Sequence, residues 1–177
     1  RSPRRAPQIK KSAPQVEVVS IRGNVETRLR KAQGEEADGA VLAAAGMIRL
    51  GLQEQITEYL SITEFVPPPG QGILAVEARA DDHRMLTLLS AIDDPDTRLE
   101  ATAERAFLAE LGGGCSVPVG AYAQCTGGDM LMTIFMSTED GGESVTTQVK
   151  GPKDDAVEIA KKAYQALERE ALSLIHI

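Results

Sequence analysis

Residues 66–72, which read VPPPGQG, interrupt this chain more strongly than any other segment. Three consecutive prolines remove backbone donors and fix φ, so neither a helix interior nor a central strand can continue through them. The two glycines that follow permit a tight turn. We therefore expect a stiff crossing segment that ends in a turn, with differently organised parts of the chain before and after it.

The chain before this segment alternates short apolar runs with helical patterns. Residues 16–21 are rich in β-branched side chains and predict a buried strand. Asn24 is suited to cap a helix that runs to about Gln33. A second strand is predicted at residues 40–45 and a second helix at residues 47–59. The order strand, helix, strand, helix is typical of a βαβ unit built on a parallel sheet.

The chain after the segment predicts a strand at residues 73–78 and a helix at residues 82–91. Asp94 is a favoured N-cap, and Pro95 is a favoured first residue of a helix. The helix predicted to start there has apolar residues at helical spacing, which indicates one buried face. These residues are Leu99, Ala103, Phe107 and Leu111.

The last part of the chain predicts a small α+β unit. Strand-like alternation occurs near residues 117–125, 130–136 and 145–149, with glycine-containing turns between the runs. An amphipathic helix follows over residues 154–171. Its predicted inward residues are Val157, Ala160, Tyr164 and Leu167. We therefore expect a three-stranded antiparallel sheet with two flanking helices.

The formal net charge of −7 is distributed unevenly along the chain. Residues 1–31 hold nine Lys or Arg against two acids, whereas the rest of the chain holds ten against 24. A local basic cluster on an acidic protein favours a specific anionic ligand over nucleic acid. No apolar run is long enough to span a membrane. Two cysteines and two histidines are too few for a disulfide framework or a Cys/His metal site.

Four arginines occupy positions that suit anion binding. Arg4 and Arg5 are adjacent, Arg22 ends a predicted strand, and Arg28 lies one turn inside the next helix. Strand ends and helix N-termini of βαβ units bind anions, and the guanidinium group suits carboxylates. Gly23 adds a backbone amide at the same place. We therefore expect a site here for a polycarboxylate or a phosphate.

The two cysteines differ in their surroundings. Cys115 lies within residues 112–118, GGGCSVP, whose three glycines leave room around the sulfur. Cys125 falls on the apolar face of a predicted strand, where a small buried hydrophobic residue is the plain interpretation. For Cys115, the residues alone leave a functional thiol and an inert one equally open.

Five segments, in order, resemble the porphobilinogen deaminase (hydroxymethylbilane synthase) family. They are Arg4-Arg5 with Gln8, residues 20–28 (SIRGNVETR), residues 70–72 (GQG) with 76–79 (VEAR), residues 104–107 (ERAF) and residues 113–118 (GGCSVP). Their order and spacing agree from residue 2 to about residue 171. The chain thus resembles the C-terminal part of a family member, without the N-terminal half.

The resemblance implies an α/β fold class. A βαβ domain like those of periplasmic binding proteins is followed by a small α+β domain with a three-stranded antiparallel sheet. Residues 1–65 then form the arginine-lined part of the second domain, residues 66–92 form the hinge and the return to the first domain, and residues 93–171 form the C-terminal cofactor-anchoring domain. Residues 172–177 (LSLIHI) match the translation of a sequencing adapter, and we expect them to be an artefact.

The resemblance also implies the chemistry and the residues that perform it. A hydroxymethylbilane synthase joins four porphobilinogen molecules head to tail, with loss of ammonia, on a covalently bound dipyrromethane primer. Cys115 is the implied thioether anchor of this cofactor. The other implied cofactor-binding residues are Ser2, Arg4, Arg5, Arg22, Gly23 and Arg28. The implied substrate-binding residues are Arg22, Arg28 and Arg49.

The same resemblance puts the catalytic aspartate upstream of Arg1, so we expect the chain to be inactive alone. We expect a cytoplasmic monomer that binds porphobilinogen and no nucleic acid, membrane or metal. Two alternatives stay open from the residues. One is a non-catalytic, two-lobed anion-binding module of the periplasmic-binding-protein type, which has no need of the cysteine loop. The other is a regulatory domain of a transcription factor.

Overall fold

The computed structural model describes residues 2, 4–34, 36–112, 118–138 and 141–174, with side chains up to residue 171. The elements are α1 (Arg5–Ser12), α2 (Val25–Ala32), α3 (Ala44–Arg49), α4 (His83–Ser90), α5 (Pro95–Glu110), β1 (Val119–Thr126), β2 (Asp129–Ser137), β3 (Ser144–Pro152) and α6 (Ala156–Leu174). Short 3-10 helices lie at Gln53–Gln55 and Lys153–Asp155. The protein is thus a mixed helix and strand structure, in which helices α1 to α5 precede strands β1 to β3 and α6 follows them.

The three strands form one antiparallel sheet in the order β1-β2-β3. This confirms the sheet predicted for the last part of the chain. Successive side chains point to opposite faces of a sheet. On one face, Ala121 of β1 and Ile134 of β2 are paired and fully buried. This face carries the main core.

Helices α5 and α6 cover this face of the sheet. Asp94 caps α5, since its Oδ1 accepts a hydrogen bond of 2.7 Å from the Thr97 N–H. The predicted buried face of α5 is confirmed. Ala103 and Phe107 have no exposed surface, and Leu99 and Leu111 are partly buried against the core.

The inward face of α6 differs from the prediction at one residue. Ala160 and Leu167 are buried and Tyr164 is partly buried, but Val157 is 47% exposed. A turn of 100° per residue places a different set on the core side. That set is Ala156, Ile159, Ala160, Ala163 and Leu167. The helix also continues to Leu174, beyond its predicted end at residue 171.

The strands predicted at residues 16–21, 40–45 and 73–78 are wrong for the described part of the chain. Residues 16–21 and 73–78 belong to no helix or strand, and α3 already begins at Ala44. A strand needs a neighbour to pair its backbone N–H and C=O groups, and no described segment provides one here. Their apolar side chains stay exposed, as at Val19 (48%) and Leu74 (75%). The described residues therefore form no parallel βαβ sheet.

The helix predictions in this part are partly right. Helices α2 and α4 lie where the sequence predicts them, but the helix predicted over residues 47–59 ends at Arg49. Gly51, with φ of 69°, turns the chain there before the first 3-10 helix. Helix α1 was not predicted. It accommodates Pro7 in its first turn, where the missing N–H costs no helical hydrogen bond.

Helix α1 and residues 66–70 lie against the C-terminal sheet. The Ala121 N–H of β1 donates to the Pro67 carbonyl over 2.9 Å. Gly141, just before β3, approaches Pro7 of α1 so closely that an added Cβ would lie 3.2 Å from its ring. The basic N-terminal helix is therefore held beside the C-terminal domain. Among the described helices, none has the length and apolarity that crossing a bilayer requires.

Candidate arginine site

Helix α1 carries two of the predicted site arginines at its start. Arg4 is the N-cap and Arg5 the first helical residue. The Ser2 Oγ accepts a hydrogen bond of 3.4 Å from the Arg5 N–H, so Ser2 lies at the same end of the helix. Both arginine side chains are half-buried, while the following turn is buried. That turn consists of Ala6, Pro7 and Gln8.

Arg5 is the centre of a cluster of positive charge. Its Nη1 donates to the Val41 carbonyl over 2.8 Å, which fixes the direction of the side chain. Burial lowers the pKa of Arg5 from its usual value, and the charges of Arg28 and Arg4 lower it further. The guanidinium group nevertheless stays protonated in proteins. The positive charges of Arg4, Arg5 and Arg28 thus lie near one another and would together stabilise a multiply charged anion.

The start of α2 places Arg28 in this cluster. Asn24 caps the helix as predicted, with its Oδ1 accepting from the Thr27 N–H at 2.8 Å. Gly23 has φ of 127°, and a Cβ there would lie 2.6 Å from the Thr27 side chain. Only glycine fits such a position without strain. The Gly23 carbonyl then accepts a hydrogen bond of 2.7 Å from Arg28 Nε, which fixes the direction of the Arg28 side chain.

The cluster arginines are not neutralised by the described acidic residues. The ion pairs between described residues join Lys31 to Glu36, Arg98 to Asp93, Lys150 to Asp129, and Lys153 to Asp96. None of these pairs includes Arg4, Arg5 or Arg28. Arginines that converge without a carboxylate partner favour a carboxylate or phosphate ligand from outside the chain.

Arg22 and Arg49 are less closely integrated. Arg22 directly precedes Gly23, and Arg49 is the last residue of α3. Both side chains are exposed, and the ion pairs of the described ranges do not include either. The structure thus brings the charges of Arg4 and Arg28 near Arg5, while Arg22 and Arg49 remain exposed.

Cys115 lies outside the described residues, as do Gly113, Gly114, Ser116 and Val117. The described residues on either side of them follow α5 and precede β1. Helix α5 closes at Gly112, which has φ of 71°. Beyond the loop, the Pro118 carbonyl accepts a hydrogen bond of 3.2 Å from the Ser137 N–H of β2. The predicted role of Cys115 stays a prediction.

Cys125 has the surroundings of a structural cysteine. It is half-buried at the end of β1 and packs against the main core. Its Sγ lies 3.8 Å from the Asp96 carbonyl oxygen. Burial raises the pKa of this thiol, and the charges of Glu100 and Asp96 raise it further. Because the thiolate is the reactive form, these surroundings make Cys125 a poor nucleophile at neutral pH.

Glu104 stands out in the structure, and sequence reasoning gave it no role of its own. It is 3% exposed, and its carboxylate accepts hydrogen bonds from the Gly70 and Ala123 N–H groups. Burial is the main cause that raises the pKa of this carboxyl group. The available signal was its position in the buried stripe of α5, between Ala103 and Phe107.

These features define a class: a mixed helix and strand protein that presents converging arginines to an anionic ligand, beside a small α+β domain. Across the described ranges, His, Cys, Asp and Glu side chains form no group that could hold a metal ion. Two family models match the chain. "Porphobilinogen deaminase, dipyromethane cofactor binding domain" matches residues 1–87, and "Porphobilinogen deaminase, C-terminal domain" matches residues 98–169. The chain belongs to the porphobilinogen deaminase family.

Several curated proteins support this membership. A probable porphobilinogen deaminase of Nitrosopumilus maritimus is 42% identical over 170 residues, which are 96% of this chain and 54% of that protein. A porphobilinogen deaminase of Roseiflexus castenholzii is 51% identical over 138 residues, or 78% of this chain and 46% of the relative. One from Syntrophomonas wolfei is 43% identical over 169 residues, or 96% and 54%. The chain spans about half the length of these relatives.

Proposed function

We propose that this chain is part of a hydroxymethylbilane synthase. The whole enzyme condenses four porphobilinogen molecules head to tail, with loss of ammonia, in tetrapyrrole biosynthesis. The observation that carries the proposal is a group of nearby arginine charges, those of Arg4, Arg5 and Arg28, without an ion pair to a described carboxylate, in a chain that belongs to the porphobilinogen deaminase family. Each porphobilinogen carries an acetate and a propionate, so the product chain accumulates carboxylates that such a cluster binds.

The donor set fits a dipyrromethane cofactor. Its carboxylates require several cationic donors in one place, and planar guanidinium groups bind carboxylates in bidentate fashion. Arg4, Arg5 and Arg28 provide this charge, with Ser2 and Gly23 at the same helix ends. When bound through the Cys115 thioether, the cofactor supplies the primer on which the product is built. Arg22 and Arg49, together with Arg28, bind the incoming substrate.

The proposal includes a domain division and a larger fold. Residues 1–65 form the arginine-lined part of a βαβ domain like those of periplasmic binding proteins, residues 66–92 form the hinge and return, and residues 93–171 anchor the cofactor. The exposed apolar residues of segments 16–21 and 73–78 support this division. We infer that these segments become strands by pairing with chain beyond the 177 residues. We propose a cytoplasmic, monomeric enzyme.

The experiment uses the longer protein that contains this sequence. Its intact mass is measured, and acidic Ehrlich reagent is added to detect pyrroles. The expected result for the unaltered protein is an added mass for the dipyrromethane and a colour. Cys115→Ala should abolish both. Cys125→Ala is the matched control and should retain both, because Cys125 packs against the core of the C-terminal domain.

Either of two results contradicts the proposal. Retention of the adduct in Cys115→Ala would remove Cys115 as the anchor. A protein with neither added mass nor colour in any form, but with anion binding at the arginines, would instead be the non-catalytic two-lobed binding module.

A further inference from the structure

Residues 66–70, which we call the junction segment, are hydrogen-bonded to helix α1 on one side and to α5 and β1 of the C-terminal domain on the other. On one side lies Gln8 of α1. The Val66 N–H donates to Gln8 Oε1 over 2.7 Å, and Gln8 Nε2 donates to the Val66 carbonyl over 3.1 Å. Gln8 and Val66 are each 2% exposed. This two-point bond in a dry environment fixes the junction segment to the helix that begins with Arg4 and Arg5.

On its other side, the junction segment lies along the free edge of β1. The Ala121 N–H donates to the Pro67 carbonyl over 2.9 Å. The junction segment approaches β1 so closely that position 120 has room only for glycine. A Cβ on Gly120 would lie 2.6 Å from the Val66 carbonyl oxygen and 3.1 Å from that of Pro67. The edge of the sheet is thus covered by the junction segment and not by solvent.

Glu104 joins the same segment to the same strand edge. Its Oε2 accepts a hydrogen bond of 2.5 Å from the Gly70 N–H, and its Oε1 accepts one of 2.9 Å from the Ala123 N–H. A buried carboxylate is costly unless its hydrogen bonds are satisfied. Here both oxygens accept from backbone groups. Glu100, one turn earlier on α5, accepts a hydrogen bond of 2.8 Å from the Cys125 N–H of β1 and contacts no described residue of the junction segment by a hydrogen bond, so it provides a matched control.

These contacts connect α1, which carries Arg4 and Arg5, to the C-terminal domain, which carries α5 and the sheet. Gln8 lies one turn after Arg4 on α1, and Glu104 lies on α5, which ends at Glu110, five positions before Cys115 in the sequence. We propose that Gln8, Glu104 and Gly120 are positioning residues that act through the junction segment and hold the arginines of α1 in fixed register with the cofactor-anchoring domain. This inference rests on the proposed function for its catalytic consequence, but the mechanical coupling is a property of the chain itself.

The coupling is tested first by hydrogen exchange on the 177-residue chain. Gly120→Ala forces the junction segment away from β1, so the Ala121 and Val66 amides should exchange about fivefold faster or more. Gly128→Ala is the control, because a Cβ there meets nothing within 4 Å. It should leave both amides unchanged. Exchange at Val66 that is unaffected by Gly120→Ala would overturn the coupling.

The catalytic consequence is tested in the longer protein with Glu104→Gln, which keeps the size of the side chain and one acceptor oxygen. Misplaced arginines should raise KM for porphobilinogen about tenfold while the dipyrromethane mass on Cys115 is retained. Glu104→Ala should be worse than Glu104→Gln, and Glu100→Gln should match the unaltered enzyme. A role in folding alone would instead reduce the active fraction and hence kcat, at constant KM.

Failure of the positioning role and failure of the proposed function give different results. An unchanged KM in a cofactor-loaded Glu104→Gln enzyme would overturn the positioning role. Absence of the adduct from the unaltered protein would overturn the proposed function, and the exchange measurement would still decide whether the junction segment couples α1 to the sheet.

Discussion

At the scale of single residues, the structure ranks the predicted arginines. The Arg5 side chain is half-buried, donates to the Val41 carbonyl and lies near the charges of Arg4 and Arg28, whereas Arg22 and Arg49 are exposed. The sequence supplied the residue types and their positions at helix starts. It did not supply this ranking, because the ranking depends on which residues the fold brings near Arg5. Glu104 was missed for the same reason: its partners Gly70 and Ala123 are distant in sequence.

Arg5→Ala should weaken carboxylate binding more than a change elsewhere on α1. A hydrogen bond to a charged group contributes about 1.5–3 kcal/mol, which corresponds to a roughly 10- to 150-fold loss of affinity. Isothermal titration of the longer protein with porphobilinogen measures this loss. Lys10→Ala, an exposed residue of the same helix, is the control and should change the affinity by less than about threefold. Equal effects of the two substitutions would indicate general electrostatic attraction instead of a built site.

At the scale of elements, prediction succeeded where the described chain contains every partner that an element needs. Strands β1, β2 and β3 pair with one another, and α5 and α6 bury their faces on them. It failed for residues 16–21 and 73–78, whose composition suits strands but which have no neighbouring strand among the described residues. Local pattern specifies the tendency to form a strand, while the ladder requires a second segment.

The C-terminal domain should therefore owe its stability to the interface between α5 and the sheet. Phe107 is the largest side chain of α5 in the core and has no exposed surface. Phe107→Ala should reduce the free energy of unfolding by about 3–5 kcal/mol, through lost burial and the cavity left behind. Urea denaturation followed by circular dichroism measures this change. Leu88→Ala on α4, where the side chain is 58% exposed, should cost less than about 1 kcal/mol.

At the scale of the whole molecule, the two parts of the chain differ in completeness. The C-terminal part has a closed core, whereas the chain before and just after the junction segment leaves several large apolar side chains in solvent, among them Val16, Val19, Leu74 and Val76. Several large apolar side chains exposed in one part of a chain favour a surface that is covered by other residues. Since the chain spans about half the length of its relatives, the simplest cover is the remainder of the same protein.

The 177-residue chain by itself should therefore not convert porphobilinogen to hydroxymethylbilane. It has the arginines and Cys115, but under the proposed function the catalytic aspartate lies in the part of the relatives that this chain does not span, and loss of electrostatic stabilisation in an active site typically costs a factor of about 100–1,000 or more. Product formation is measured for the chain and for the longer protein at equal concentration. Circular dichroism of the chain is the control: a spectrum of folded sheet and helices would mean that inactivity reflects a missing group and not an unfolded protein. Turnover by the folded chain alone would mean that its own residues perform the chemistry, and Glu104 and the arginine cluster would then be the first groups to substitute.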